Sequence, residues 1–264
     1  MSESSSVLYE VQQSVATITL NRPESLNAMT NGLMKDLVDT LARVEADKSV
    51  RVVVITGSGR GFCAGADLAG QASAKSSDPE PDGKVDDHFN GAMRAIYNSS
   101  VPTVARVNGA AAGGGFGLAL ACDITVAAKS AFFVATFGPK LGIVPDLGTT
   151  WNLPRKAGRA RALGLAMLGD RITAEQAEAW GLIWKVVDYD QLDAEVELIT
   201  KKLARTSADA MTRIRSVTDA ALDNSFSDQL DLEMEHQAVL IPKNMTEGAR
   251  AFMEKREPEF PGRN

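Results

Sequence analysis

The stretch PTVARVNGAAAGGGFGLALACDI, residues 102–124, organises the chain. A short apolar strand, VARV, runs into three glycines, Gly113, Gly114 and Gly115, and then into an Ala/Leu run suited to a helix. Glycines at such a junction let backbone N–H groups approach a ligand closely, while the helix behind them adds its positive end. The segment reads as an anion or oxyanion cradle, or equally as a tight strand-to-helix turn without a ligand. Beyond a second apolar patch stands FGPKLGIVPDLGTTWNLPR, residues 137–155.

Upstream, VVVIT at 52–56 is a continuous apolar run, the mark of a strand covered on both faces. It leads through the glycine-bearing loop 57–61 into FCAGADL. Residues 15–20 alternate, with Ala16, Ile18 and Leu20 on one face, and Asn21-Arg22-Pro23 ends the pattern. Thr30 can cap a helix that brings Leu33, Leu37, Leu41 and Val44 onto one side. The pattern predicts a helix at 88–99 and strands at 103–107, 124–127 and 132–134. Residues 71–87, rich in Ser, Pro, Asp and Gly, read as a mobile surface loop. Thr173-Ala-Glu-Gln176 is a capping box, Gly181 closes that helix, and 185–187 is a last short strand. Strands alternating with helices predict an α/β fold. From about Asp190 only helices are expected. Leu230, Met234, Ala238 and Ile241 form one stripe, and Asn244 with Glu247 predicts a cap for a final helix carrying Phe252. Such a tail has to pack on the core or on another subunit.

At 264 residues, 44% hydrophobic and 23% charged, the chain suits one large domain or a core with an appendage. A net charge of −6 counts against a nucleic-acid or anionic-membrane partner. No apolar run approaches the roughly 18–20 residues of a membrane span. Residues 1–6 are polar and read as a frayed start without a signal core. Cys63 and Cys122 sit in Ala/Gly-rich apolar sequence without metal-ligand spacing, which suits buried thiols in a reducing cytoplasm and no metal site. GSGRG (57–61) and GGGFG (113–117) fail the dinucleotide fingerprint, and neither is followed by the Lys-Ser or Lys-Thr of a P-loop. His88 and His236 stand apart from any nucleophile elbow. Arg155, Lys156, Arg159 and Arg161 read as a solvated helix face, with one member available to meet a ligand phosphate.

Four segments, NRPESLNAM, VVVITGSGRGFCAGADL, PTVARVNGAAAGGGFGLALACDI and LGIVPDLGTTWNLPR, stand in an order and spacing that resembles the crotonase (enoyl-CoA hydratase/isomerase) superfamily. The resemblance extends to the tail AFMEKREPEF, residues 251–260. It implies a ββα-spiral core over 1–190 and a helical trimerisation region over 191–264, in a homotrimer or a hexamer. It also implies an acyl-CoA thioester substrate, with coenzyme A as part of that substrate and no separate cofactor. Carried onto this sequence, the family's oxyanion hole falls on the backbone N–H groups of Ala66 and Gly114. Small residues suit that role, because the thioester must come close to the backbone. The segments that contact CoA fall on Glu24, Ser25 and Leu26 and on Ala64 to Leu68, including Asp67. Phe252 and Lys255 resemble a pair that a neighbouring subunit lends to the CoA site.

The acid/base positions depart from the hydratase pattern. Where hydratases of this family carry two glutamates, this chain has Gly117 and Gly138, and neither can move a proton. Asp146 instead matches the single carboxylate of several isomerase branches, among apolar residues expected to line the pocket: Phe116, Phe137, Ile143 and Trp151. Adding water is best served by two groups, whereas moving a proton between two carbons needs one. The segment 137–188 and the ending KREPEFPGRN resemble the phenylacetate-pathway branch. That branch isomerises ring-1,2-epoxyphenylacetyl-CoA to the oxepin form and shifts double bonds in enoyl-CoAs. Two other functions stay open: a hydratase using Asp146 with an ordered water, and a catalytically silent CoA- or RNA-binding relative. The intact oxyanion motif and the acidic charge count against the latter.

Overall fold

A computed structural model describes residues 5–68 and 87–263. The loop expected at 71–87 lies outside them except for Asp87, whose side chain accepts a hydrogen bond from the Asn90 N–H at 3.0 Å. The chain opens with a hairpin of β1 (Val7–Gln12) and β2 (Val15–Leu20), turned at Gln13 and Ser14 with positive φ. Helix α1 (Asn31–Ala46) follows, capped by Thr30, whose hydroxyl accepts from the Leu33 N–H at 3.1 Å. The chain then winds as a spiral. First come β3 (Val52–Gly57), β4 (Gly61–Cys63) and α2 (His88–Tyr97), then β5 (Thr103–Val107), β6 (Ala110–Ala112) and α3 (Gly114–Ala121). A third turn holds β7 (Ile124–Ala128), β8 (Phe132–Val134), one turn of π-helix at Phe137–Leu141, and helices α4 (Thr149–Ala157) and α5 (Arg159–Leu168). β9 (Ile172–Thr173), α6 (Ala174–Ala179) and β10 (Lys185–Val187) complete it.

Successive strands go to different sheets. One sheet has the order β1-β2-β3-β5-β7-β10 and the other β4-β6-β8-β9, so each turn adds a strand to both and closes with a helix. This is the expected ββα arrangement. The VVVIT run is apolar throughout because both its faces are covered. Val53 and Ile55 join Ala16, Ile18, Ala105 and Ala127 in the main core with α1, α2 and α3. Val52 and Val54, with Val104 and Val126, meet Leu192, Val196 and Ile199 of helix α7 (Leu192–Arg205) on the outside. The Thr173–Gln176 capping box forms as expected, with bonds of 2.9 and 3.1 Å.

After α7 come α8 (Ala208–Ala220) and a single long helix, α9 (Phe226–Glu254). The separate final helix expected to start at Asn244 does not exist. The Asn244 amide reaches back to the Ser207 hydroxyl at 3.1 Å, and the helix runs on through Pro242. Proline removes one backbone donor there, and the turns on either side carry the helix past it. The stripe residues Leu230, Met234 and Ile241 remain exposed.

The tail after α9 returns to the core. Arg263 donates to the Val44, Glu45 and Asp47 carbonyls at 2.8, 3.0 and 2.8 Å and to the Ser100 hydroxyl at 2.9 Å. It thus satisfies carbonyls that the end of α1 leaves open.

Candidate active site

The CAGADL segment meets the strand-like residue Met29 in a single parallel bridge. The Met29 N–H donates to Gly65 O at 2.7 Å and the Asp67 N–H to Met29 O at 2.9 Å. In parallel pairing, the residue between two such bonds turns its own N–H and C=O the other way. Ala66 is that residue. Gly114 begins α3, so its N–H is one of those a helix leaves without an internal partner. Neither N–H donates a hydrogen bond among the described residues. Gly65 brings the two segments together at φ +88°; a Cβ there would lie 2.8 Å from Ala112 O and 3.2 Å from Gly114 N. The Ala66 and Gly114 donors therefore stand on touching backbone segments.

The turn that carries Asp146 lies across the first turns of α3. A Cβ on Gly114 would stand 2.7 Å from Leu147 Cδ1 and 3.2 Å from Met29 Sδ. One on Gly117 would meet Leu147 O at 2.7 Å and Thr149 Oγ1 at 2.8 Å. At the second hydratase position, a Cβ on Gly138 would press on Ala166 O at 3.0 Å. Gly117 is thus closed by packing, Gly138 is tight against a single carbonyl, and neither carries an acid. The turn is tight: Leu147 and Gly148 have φ of +50° and +74°, and the Thr149 N–H donates to Asp146 O at 2.9 Å. Gly148 is the cap of α4, and no side chain caps that helix. The Asp146 carboxylate is therefore not spent as a helix cap. Partial loss of solvent pushes its pKa above the ordinary aspartate value, opposed by its own backbone N–H.

The remaining expected residues divide. Glu24, Ser25 and Leu26 lie beside Ala64, whose N–H donates to Leu26 O at 3.0 Å. Asp67 is held in an ion pair with Arg22 at 2.9 Å, and Arg22 also donates to Ala28 O at 2.7 Å, so Asp67 fastens the two segments together. Leu68 and Ile143 are exposed. Phe137 is buried beside the glycine turn, its ring edge 4.0 Å from where a Gly113 Cβ would be. Phe116 is fully buried against Phe133, with ring centroids 5.2 Å apart. Trp151 also falls elsewhere. One helical turn past the Asp146 loop, its ring stands edge-on to Tyr97 at 5.6 Å and beneath Arg155 at 4.2 Å. Phe252 and Lys255 are exposed at the end of α9, where Lys255 closes the helix at φ +55°.

Two asparagines not singled out in the sequence brace the loop that leads to Ala66. Asn27 is fully buried at φ +59°; its amide donates to Ser58 O, Gly61 O and Phe62 O at 3.0, 2.9 and 3.2 Å, and its Oδ1 accepts from the Arg22 N–H at 2.9 Å. Asn108 donates to Gly59 O at 2.9 Å and Gly61 O at 3.2 Å. The available signal was an asparagine at a sharp turn, between NRPESL and AM or directly before Gly109. Burial pushes the Cys63 and Cys122 thiols up to about 12, which leaves them inert as nucleophiles. Among the described residues, no group of three potential ligands could hold a metal, and no helix is long and apolar enough to cross a membrane.

Two open backbone donors beside a turn bearing one carboxylate suit chemistry in which an oxyanion forms and a proton moves. Gly114→Val tests the cradle. Its Cβ meets the flexible end of Leu147, so the chain is expected to fold, while the cradle and the Asp146 turn are pushed apart. Most turnover should be lost with little change in circular dichroism; near-normal kcat would remove Gly114 from the site.

The chain belongs to the enoyl-CoA hydratase/isomerase family, which it matches over residues 10–263. It is 42% identical over 260 residues to the 1,2-epoxyphenylacetyl-CoA isomerase of Escherichia coli (strain K12), spanning 97% of this chain and 98% of that protein. It is 39% identical over 258 residues to a probable enoyl-CoA hydratase of Rhodobacter capsulatus, with 97% and 98% covered. Among solved structures, an enoyl-CoA hydratase from Polaromonas sp. JS666 superposes with a TM-score of 0.90 at 33% identity, covering 97% of this chain and 99% of that one.

Proposed function

We propose that this enzyme isomerises acyl-CoA thioesters, using Ala66 and Gly114 as oxyanion donors and Asp146 as the sole acid/base. The observation that carries the reading is the packing at Gly117 and Gly138. The Leu147 carbonyl and Thr149 hydroxyl fill one position and the Ala166 carbonyl presses on the other, so neither glycine position supplies an acid, and we give that role to Asp146. The thioester acidifies its α-carbon. Carboxylate Asp146 takes that proton, the electron pair moves onto the thioester oxygen, and the two N–H groups hold the resulting enolate. Donors of this kind contribute about 3–4 kcal/mol each. Asp146 then returns the proton to a different carbon of the dienolate, so the double bond shifts and nothing is gained or lost. The name of the Escherichia coli relative supports a second substrate, ring-1,2-epoxyphenylacetyl-CoA, rearranged to its oxepin. The reaction, as proposed, draws on no cofactor beyond the CoA of the substrate. Buried free thiols suit a reducing compartment, and we place the enzyme in the cytoplasm.

Incubation with trans-3-enoyl-, crotonyl- and epoxyphenylacetyl-CoA, with products identified by mass and NMR, tests the reading. Isomerised products are expected, with little hydration of crotonyl-CoA. The Rhodobacter relative's name favours the alternative, in which 3-hydroxybutyryl-CoA would be the main product. We further propose a trimer or a dimer of trimers built through the helices beyond residue 190. Met234, Met245 and Phe252, 66%, 61% and 83% exposed, supply apolar surface for it. Light scattering should give three or six times the chain mass; a stable monomer at micromolar concentration would rule the assembly out.

A further inference from the structure

Helix α5 is apolar on its outward side as well as on its inward one. Ala162 and Leu165 are buried against the core. At 3.6 residues per turn, Ala160, Gly164 and Met167 fall on the opposite side, with Leu168 at its edge. Met167 and Leu168 are 67% and 66% exposed, and a Cβ on Gly164 would meet nothing within 4 Å. A helix that faces water carries polar residues outward, and one that is apolar all round is covered. Here the outward side offers two large apolar side chains beside a dip at Gly164. Arg159 and Arg161 flank it, both exposed. Arg161 lies over the Trp180 ring at 5.1 Å, and neither arginine forms an ion pair among the described residues.

A complementary face stands on the same chain. Phe226, Leu230 and Met234 recur every fourth residue along the first half of α9, all exposed. Residues 226–242 hold Asp228, Asp231, Glu233 and Glu235 and no lysine or arginine. The side chains of Asp231, Glu233 and Glu235 make no hydrogen bond or ion pair among the described residues. Further along, Lys243 and Arg250 reverse the sign, so the first half of α9 is the part that suits the two arginines. The two faces match twice, apolar surface to apolar surface and acid to base. Burying the apolar side chains supplies the attraction, and the charges fix the register.

We propose that the outward side of α5 seats the first half of α9 from a second copy of this chain. The inference rests on the assembly proposed above and assigns its faces. One face meeting a different face is a heterologous contact, the kind that closes copies into a ring. Pairing of α9 with itself about a two-fold axis would give dimers instead.

Two measurements test the contact. Equal amounts of the Met167→Cys and Met234→Cys chains are mixed, left to exchange subunits, and joined with a flexible bismaleimide. Cys63 and Cys122 stay silent because they are buried. The expected product is a covalent pair holding one chain of each kind; links between like chains alone would overturn the proposal. The second measurement is light scattering over a concentration series. Arg159→Glu with Arg161→Glu should weaken association at least ~10-fold, since like charges then face each other. Adding Glu233→Lys and Glu235→Lys, on either side of Met234, to the same chain should restore it, which a misfolded variant would not do. Unchanged assembly after the arginine reversal, or no recovery in the combined variant, would each remove the contact between α5 and α9 and leave the assembly standing. A parent chain that stays monomeric would overturn both.

Discussion

Asp146→Asn is expected to bind acyl-CoA as well as the parent chain and to lose at least ~10²-fold in isomerisation, the lower end of general acid–base effects. The substitution keeps the shape of the side chain and leaves the turn intact, because the bond that closes it comes from the Asp146 carbonyl. No helix cap is lost, since Gly148 holds that position. What disappears is the carboxylate proposed to accept the proton. The pH profile gives a second readout. Partial desolvation disfavours the carboxylate, so its pKa lies above the ordinary value and more of the enzyme is protonated at a given acid pH. The active form is the carboxylate, so kcat should climb with pH through that raised pKa and level off above it. This acid limb should vanish from the residual rate of Asp146→Asn. Full turnover in that variant on every enoyl- and epoxy-CoA tested would sink the mechanism.

The second large effect concerns stability. Asn27→Ala should cost at least about 3 kcal/mol, because it strips the side-chain partner from the Arg22 N–H and from the Ser58 and Phe62 carbonyls, while Gly61 O keeps its bond from Asn108. Each buried group left unpaired costs about 1–3 kcal/mol. Asn27→Asp is expected to do no better, since a carboxylate would face the same carbonyls without a donor. A denaturant midpoint for Asn27→Ala within experimental error of the parent would refute this account. Activity should fall alongside, because the braced loop 57–63 leads directly to Ala66.

The contrast between Asp146 and Asn27 explains what could be read from the residues alone. Strands such as Val52–Gly57 and Thr103–Val107, and the caps at Thr30 and Thr173, are local facts of periodicity and side-chain chemistry, and they stand where expected. Strands β4, β6 and β9 have three, three and two residues, too short for any period, and exist only because the spiral brings partners alongside. β1 escaped notice because it is an edge strand exposed along most of its length, with Leu8 turned outward. Phe116 and Trp151 could be counted as apolar but not aimed: a helix has a buried and an open side, and only packing tells which one a ring takes. The same holds for α9, where Pro242 and Asn244 look like a boundary and tertiary contact carries the helix across. The glycine run at 113–115 announced a close backbone approach but not its purpose, and Ala66 and Gly114 were marked out only by the family resemblance. Asn27 was not, because its partners are three carbonyls that carry no side-chain signature.

The Arg263 clasp also sets an order of events during synthesis. It joins positions 216 to 219 residues apart, among the most distant contacts in the chain. A chain emerging vectorially makes α1 long before residue 263, and until then the Val44 and Glu45 carbonyls lack the Arg263 donor, whereas Asp47 O already accepts from the Val50 N–H at 3.2 Å. A contact of such sequence separation is expected to close late, so losing it should speed unfolding more than it slows folding.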